Sequence, residues 1–344
     1  MMAGEALFGK DLNGLIDVTQ RLGLPGFAAR QIAGWLYGKE ISSVAEMTNL
    51  PKKAREILSE EYEFGIFPPV SVAESSDGTK KYLFRTGSGK YIETAFIPDR
   101  GRGTVCVSTQ AGCRMGCRFC MTGRQGFQGN LTAGEILNQV RSIPEFRKVT
   151  NIVYMGMGEP LDNPGEVIRS LNILTSDWGY GWSPTRITVS TVGIAGTIDT
   201  FLQQTKVHLA VSLHTPFPEE RLKLMPVEKS NPVKEIIGQI RKAGIRGQRR
   251  ISFEYILFRG FNDTASHVNE LAKLLNGIRC RVNLIRFHKI PGSGYESPGI
   301  EEIKKFRDML NSKGIIATIR ASRGEDINAA CGLLSTLELI KNRE

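Results

Sequence analysis

The chain has 344 residues, 41% hydrophobic and 23% charged, with a formal net charge of +10. That length holds one large domain, or a large one with a small companion. No run of about 18 apolar residues occurs, which excludes a membrane-spanning helix, and Met1–Glu5 begins no basic and apolar leader, so no secretory signal is expected. Six cysteines, three of them clustered, read as reduced cytoplasmic thiols rather than a disulfide scaffold. The positive charge favours a polyanionic partner such as nucleic acid.

Residues 1–67 read as a small helical accessory unit. Apolar positions recur at helical spacing over 11–22, 28–36 and 51–64, with turns at Gly23-Leu24-Pro25-Gly26 and Gly38. Arg30, Lys52, Lys53 and Arg55 set basic points on its faces, as an ordinary solvated bundle also does. From 68 to 102 the period changes to two. Residues 69–73, 80–85 and 91–98 alternate, with Asp77-Gly78 and Gly87-Ser88-Gly89 as hairpin turns. Glu93 lies in the last strand of this β extension among Ile92, Ala95 and Phe96, and by position alone reads as an edge-strand charge.

A strand over 104–109 then runs into Cys113-Arg114-Met115-Gly116-Cys117-Arg118-Phe119-Cys120. A tetrahedral zinc site takes four ligands, commonly as two Cys or Cys/His pairs. Here no fourth Cys or His follows within forty residues of Cys120. Three thiolates on one Gly-containing loop suit a cubane iron–sulfur cluster with one iron left open to a small ligand. Zinc and redox-thiol chemistry are the competing readings.

Beyond the cysteines, strand and helix alternate. A capping box at Thr132–Glu135 opens a helix with the stripe Ile136, Leu137, Val140 and Ile143, and Asn163-Pro164 opens another. Strands are expected at 151–155, 186–191, 207–213, 251–258, 282–287 and 315–319, with helices at 233–242, 267–275 and 301–310. Near-continuous apolar strands separated by helices predict an α/β fold with a parallel sheet. Six or so repeats fall short of a closed eight-fold barrel, so residues 103–344 are expected to form an open, partial (β/α)6 barrel.

In such a fold, chemistry gathers at the C-terminal ends of the strands. There the sequence supplies Gly156-Met157-Gly158-Glu159-Pro160, Ser190-Thr191, Ser212-Leu213-His214, and Asn283 with His288. The first group is not a dinucleotide fingerprint, because Leu161 holds the third glycine position. Singly these residues cap loops; in successive loops beside the cysteines they read as a ligand-binding rim. Arg241-Lys242, Arg246 and Arg249-Arg250 form a basic stretch that either contacts phosphate or is solvated surface.

Several of these stretches together carry a resemblance. Thr104–Gly123 with its three cysteines, Gln125-Gly126-Phe127, Asn130-Leu131-Thr132, Gly156–Asn163, Ser212–His214, Phe253-Glu254-Tyr255 and Arg323–Gly332 resemble the RlmN family of radical S-adenosylmethionine (SAM) RNA methyltransferases. The likeness covers essentially the whole chain. It implies a radical SAM partial barrel with an N-terminal RNA-binding accessory domain, and one SAM-coordinating [4Fe-4S] cluster on Cys113, Cys117 and Cys120. It also implies methylation of C2 of adenosine in the peptidyl-transferase region of 23S rRNA (adenosine 2503) and of adenosine 37 in tRNAs. The partners so implied are these RNAs and an electron donor of the flavodoxin type, for a cytoplasmic monomer.

The resemblance also implies roles. Cys331 becomes the methyl carrier, methylated by one SAM while a second furnishes the radical, so two are consumed per turnover. Glu93 matches the proton acceptor at C2, and Cys106 the thiol that releases product and leaves a transient disulfide. SAM is expected on Gly158, Glu159, Ser190, Ser212, Leu213, His214 and His288, the last standing where the family commonly carries Asn. Cys280 has no motif around it and reads as a packing thiol. Two alternatives stand beside this reading. One is an adenine-C8 methyltransferase of the antibiotic-resistance type, which shares the cluster and both outlying cysteines. The other is a zinc-bearing RNA-binding module, distinguished by metal and sulfide analysis.

Overall fold

The computed structural model describes residues 5–244 and 247–336, so Arg246 of the basic stretch lies outside the described residues. The N-terminal unit comprises β1 (Glu5–Ala6), α1 (Leu12–Arg21), α2 (Ala28–Gly38), α3 (Lys52–Glu61) and β2 (Tyr62–Glu63). Asp11 caps α1 by accepting from the Gly14 amide at 2.9 Å, and Leu15, Val18, Ile32, Leu36 and Leu58 are its buried stripes. Spacing extends the third helix to Phe64. In the structure the chain leaves the helix at Tyr62, which pairs in parallel with Glu5. The Leu7 and Phe8 amides then donate to the Glu63 and Phe64 carbonyls, a long-range pairing that local periodicity does not encode.

β3 (Ser71–Glu74), β4 (Lys80–Arg85), β5 (Tyr91–Asp99) and β6 (Arg102–Cys106) form successive antiparallel pairs. The chain continues through β7 (Gln110–Ala111), the cysteine loop, α4 (Met121–Gln125), β8 (Gly129–Asn130) and α5 (Ala133–Arg141). Alternation follows: β9 (Asn151–Tyr154), α6 (Pro164–Thr175), β10 (Ile187–Thr191), α7 (Thr197–Gln204), β11 (His208–Ser212), then α8 (Pro218–Leu224) and α9 (Val233–Ala243). β12 (Ile251–Leu257), α10 (Ala265–Leu275), β13 (Cys280–Arg286), α11 (Ile300–Ser312) and β14 (Ile316–Ile319) complete it.

The long strands form one sheet in the order β14-β13-β12-β11-β10-β9-β6-β5-β4-β3. From β6 through β9 to β14 every pairing is parallel. The sheet does not close, and β14 and β3 are its edges. The open, partial barrel is therefore present, as six β–α units and a last strand. Its continuity corrects one expectation. β5 lies inside the sheet between β4 and β6, so Glu93 is no edge charge, and it is only 7% exposed.

One apolar core joins the accessory unit to the barrel. Tyr37 of α2 packs on Tyr180 and Trp178, with ring centroids 5.6 and 6.2 Å apart. A second cluster wraps the cysteine loop with Val192, Leu224, Met225, Ile256, Phe258 and Ile285. Among the described residues no helix is long and apolar enough to cross a membrane.

Candidate active site

The cysteine loop lies over the C-terminal ends of the parallel strands. Its backbone is tied down, with the Cys113 amide donating to Gly126 at 3.1 Å, Arg118 to Leu224 at 2.9 Å and Met121 to Gly332 at 2.8 Å. Cys113, Cys117 and Cys120 line one cavity of about 140 Å³. Burial pushes the Cys113 thiol up to about 12. Burial raises Cys117 as well, and the neighbouring Cys120 and Cys113 add to it. Sulfurs in this setting become ligands when a cationic centre takes them as thiolates, which an iron–sulfur cluster does. Among the described residues no three His, Cys, Asp or Glu side chains are arranged around a single ion's position. The three thiols line one cavity, as a cluster bound by three cysteines requires.

Gly156, Gly158, Glu159, Ser190, Ser212 and His214 line the same cavity. Gly158 has φ +99°, and a Cβ there falls 2.6 Å from the Gln110 Cβ, so no side chain fits. The two oxygens of Glu159 accept from the Leu161 and Val192 amides, each at 2.9 Å. Burial outweighs these bonds and raises its carboxyl to about 7. His214 Nδ1 accepts from the Ile256 amide at 3.0 Å, which leaves the proton on Nε2. Burial lowers this imidazole to about 3, and the Phe119 ring meets it edge-on at 4.7 Å.

Two of the expected SAM contacts sit differently. Leu213 lies between Ser212 and His214, just past β11, and its side chain is buried in the main core. Its backbone is engaged within the fold, the amide donating to the Glu254 carbonyl at 3.0 Å and the carbonyl accepting from the Thr215 amide at 2.8 Å. His288 lines a neighbouring cavity of about 350 Å³ instead. Its Nε2 is 3.2 Å from Ser322 Oγ and its Nδ1 3.6 Å from Glu325. The two cavities share Cys120, Met155, Gly156, Ile285, Arg320, Cys331 and Gly332, so they meet.

That second cavity brings Cys106 and Cys331 together. Cys106 ends β6 opposite Ala95 and Val153, and burial pushes its thiol up to about 12. Cys331 is exposed on the C-terminal loop, and neither cysteine is in a disulfide. Glu93 lies two residues before Ala95 on the same face of β5. It pairs with Lys81 at 2.9 Å and accepts from the Ser335 amide at 2.9 Å, outside both cavity linings.

Residues without a sequence assignment complete the site. Arg320 Nη1 is 3.9 Å from Cys331 Sγ, 3.3 Å from Met155 Sδ and 3.5 Å from Glu254 Oε2. A cation directly after the last strand, and an acid within the apolar run of β12, were the available signals. Arg221 is fully buried and donates to the Val192 and Ser212 carbonyls at 2.7 and 3.1 Å, tying together the ends of β10 and β11. The basic stretch, by contrast, lies at the opposite end of the strands. A groove of about 890 Å³ is also there and holds none of the cysteines. Arg249 is not free for phosphate, since it donates to the Val207 and Leu202 carbonyls at 3.0 and 2.8 Å and to Thr205. Arg241 donates to the Leu274 carbonyl at 2.6 Å.

An open parallel barrel with three cysteines beyond its first parallel strand, and a polar rim facing them, defines a radical SAM enzyme. Comparison with known proteins agrees and goes further. Residues 107–275 match the radical SAM superfamily, and residues 6–64 the ribosomal RNA large subunit methyltransferase N-terminal domain. A probable dual-specificity RNA methyltransferase RlmN of Bacteroides fragilis is 54% identical over 96% of both chains. The dual-specificity RNA methyltransferase RlmN of Desulfotalea psychrophila is 42% identical over 95% of this chain and 94% of its own. A radical SAM methyltransferase from Sphaerobacter thermophilus, solved by crystallography, superposes with a TM-score of 0.89 at 41% identity, covering 96% of this chain and 99% of that one. The chain belongs to the RlmN family.

Proposed function

We propose that this enzyme methylates C2 of adenosine in 23S rRNA, at adenosine 2503, and C2 of adenosine 37 in tRNAs, with two SAM consumed per turnover. The observation that carries the reading is the meeting of Cys106 and Cys331 in a cavity continuous with the three-cysteine pocket. Adenine C2 is an electron-poor carbon with no lone pair, so polar methyl transfer has no nucleophile there. Cys113, Cys117 and Cys120 would hold a [4Fe-4S] cluster, which with SAM would supply the radical chemistry that an unactivated methyl group requires.

The chain's own residues do the rest. Gly158 leaves bare backbone for SAM, while Glu159, Ser190, Ser212 and His214 present polar groups to it from three successive strand ends. Leu213, packed in the core, fixes Ser212 and His214 on either side of it, and His288 lines the neighbouring cavity. Cys331, exposed on its loop, carries the methyl and joins it to C2 of a base taken out of its stack. Glu93 accepts the C2 proton once the C-terminal segment around Ser335 releases it. The Cys106 sulfur then attacks the Cys331 sulfur and displaces the carbon, freeing methylated RNA and leaving a transient disulfide, while a flavodoxin-type donor in the cytoplasm supplies the electron for reductive SAM cleavage. Reaction of the cluster-loaded protein with SAM, reductant and an rRNA fragment, followed by nucleoside mass spectrometry, tests this. The expected product is 2-methyladenosine. 8-Methyladenosine indicates the C8 alternative, and zinc without iron or sulfide sinks the enzyme reading.

A further inference from the structure

We propose that Arg320 is the shared counter-cation of Cys106 and Cys331, held in position by Glu254. Three arginines line the cavity around the two cysteines: Arg102, Arg320 and Arg323. Arg102 donates to Asn151 and Arg323 to Asp99, each at 3.2 Å. Arg320 is the one whose donor reaches a cysteine sulfur, at 3.9 Å from Cys331. Its charge also acts on Cys106, which favours the anionic sulfur there against the opposing effect of burial.

The guanidinium is fixed from backbone to tip. The Arg320 amide donates to the Leu284 carbonyl at 2.8 Å. At the other end, Glu254 Oε2 faces the guanidinium while Oε1 accepts from Asn283 at 2.8 Å and Ser252 at 3.1 Å. Asn283 is oriented in turn by Thr318 at 3.0 Å. Residues of β12, β13 and β14 thus aim one cation at the sulfurs. Thiol chemistry passes through sulfur bearing negative charge, and a preorganised cation stabilises that charge without reorganising. The Glu254 partner offsets the charge, so the site does not repel a cationic methyl donor.

Where Arg320 acts in the reaction rests on the function proposed above, but its charge on the sulfur can be read without turnover. The intact, cluster-loaded protein is alkylated at fixed pH with neutral iodoacetamide or anionic iodoacetate, and Cys331 modification is followed by peptide mass spectrometry. The rate ratio, taken on the unmodified fraction of Cys331, reports the local charge. An anion entering beside Arg320 is favoured, so Arg320→Gln lowers the iodoacetate-to-iodoacetamide ratio by about three- to tenfold. Arg320→Lys restores most of it. Glu254→Gln removes the opposing carboxylate and raises the ratio above wild type. Opposite responses of the two glutamine variants cannot come from damaged folding, which moves both the same way. An unchanged ratio in Arg320→Gln, or a fall in both variants, overturns the proposal. Absence of methylated RNA with wild type sinks the proposed function and leaves this ratio standing.

Discussion

Arg221 and Glu228 form an ion pair with both side chains buried, and the arginine's second nitrogen holds the carbonyls at the ends of two neighbouring strands. Removing one partner strands the other charge in the interior, which costs about 3 to 5 kcal/mol. Arg221→Met and Glu228→Gln are each expected to unfold at markedly lower denaturant. The double variant should recover part of the loss. Strict additivity of the two single losses would mean that the pair does not act as a unit.

The five cysteines of the site separate into two sets by proposed role, three for the cluster and two for the methyl. Cys113 and Cys117 line only the smaller cavity and Cys106 only the larger, while Cys120 and Cys331 line both where they meet. Changing any of the first three to Ala should abolish iron–sulfur absorbance and SAM cleavage together. Cys331→Ala should keep the cluster and give neither covalent RNA nor product. Cys106→Ala should stall one step later, with RNA joined to Cys331 and visible on a denaturing gel. An adduct in Cys331→Ala reverses the assignment.

Burial raises the Glu159 carboxyl to about 7. The folded chain therefore keeps this proton to higher pH than the unfolded chain does. The resulting contribution to stability is complete below the ordinary carboxylate range and is lost as pH rises through about 7, to a total of about 3 kcal/mol. Glu159→Gln cannot ionise. The thermal midpoint of wild type relative to this variant should fall between about pH 5 and about pH 8. Parallel curves would show that Glu159 ionises normally.

Arg249 holds three carbonyls of the segment before β11, whereas Arg250 is exposed. Arg249→Ala should cost about 2 kcal/mol or more in stability, and Arg249→Lys nearly as much, because a single ammonium cannot span the same acceptors. Arg250→Ala should leave stability unchanged. Since it lies at the end of the strands away from the cysteines, it should also leave the salt dependence of RNA binding unchanged. A phosphate contact there would flatten the log–log slope by about 0.7 to 0.9.

The sequence by itself determined the features written in local signals. The cysteine spacing marked Cys113, Cys117 and Cys120, the change of period from two to alternating strand and helix marked the barrel, and the order of polar loops marked Glu159, Ser190, Ser212 and His214. Each depends on residues a few positions apart, where periodicity and turn chemistry act. The tertiary structure decided what depends on which strands become neighbours. Glu93 proved interior because β6 adds to the sheet beside β5. The turn just past β11 sent Leu213 to the core. Arg249 turned from surface charge to structural clamp because the chain near Thr205 comes back against it. Cys106 and Cys331, named from resemblance alone, share a cavity with Arg320 only because the C-terminal loop returns over the first parallel strand. Pairing between distant strands is set by burial summed over the whole sheet, and no short stretch of sequence carries that sum.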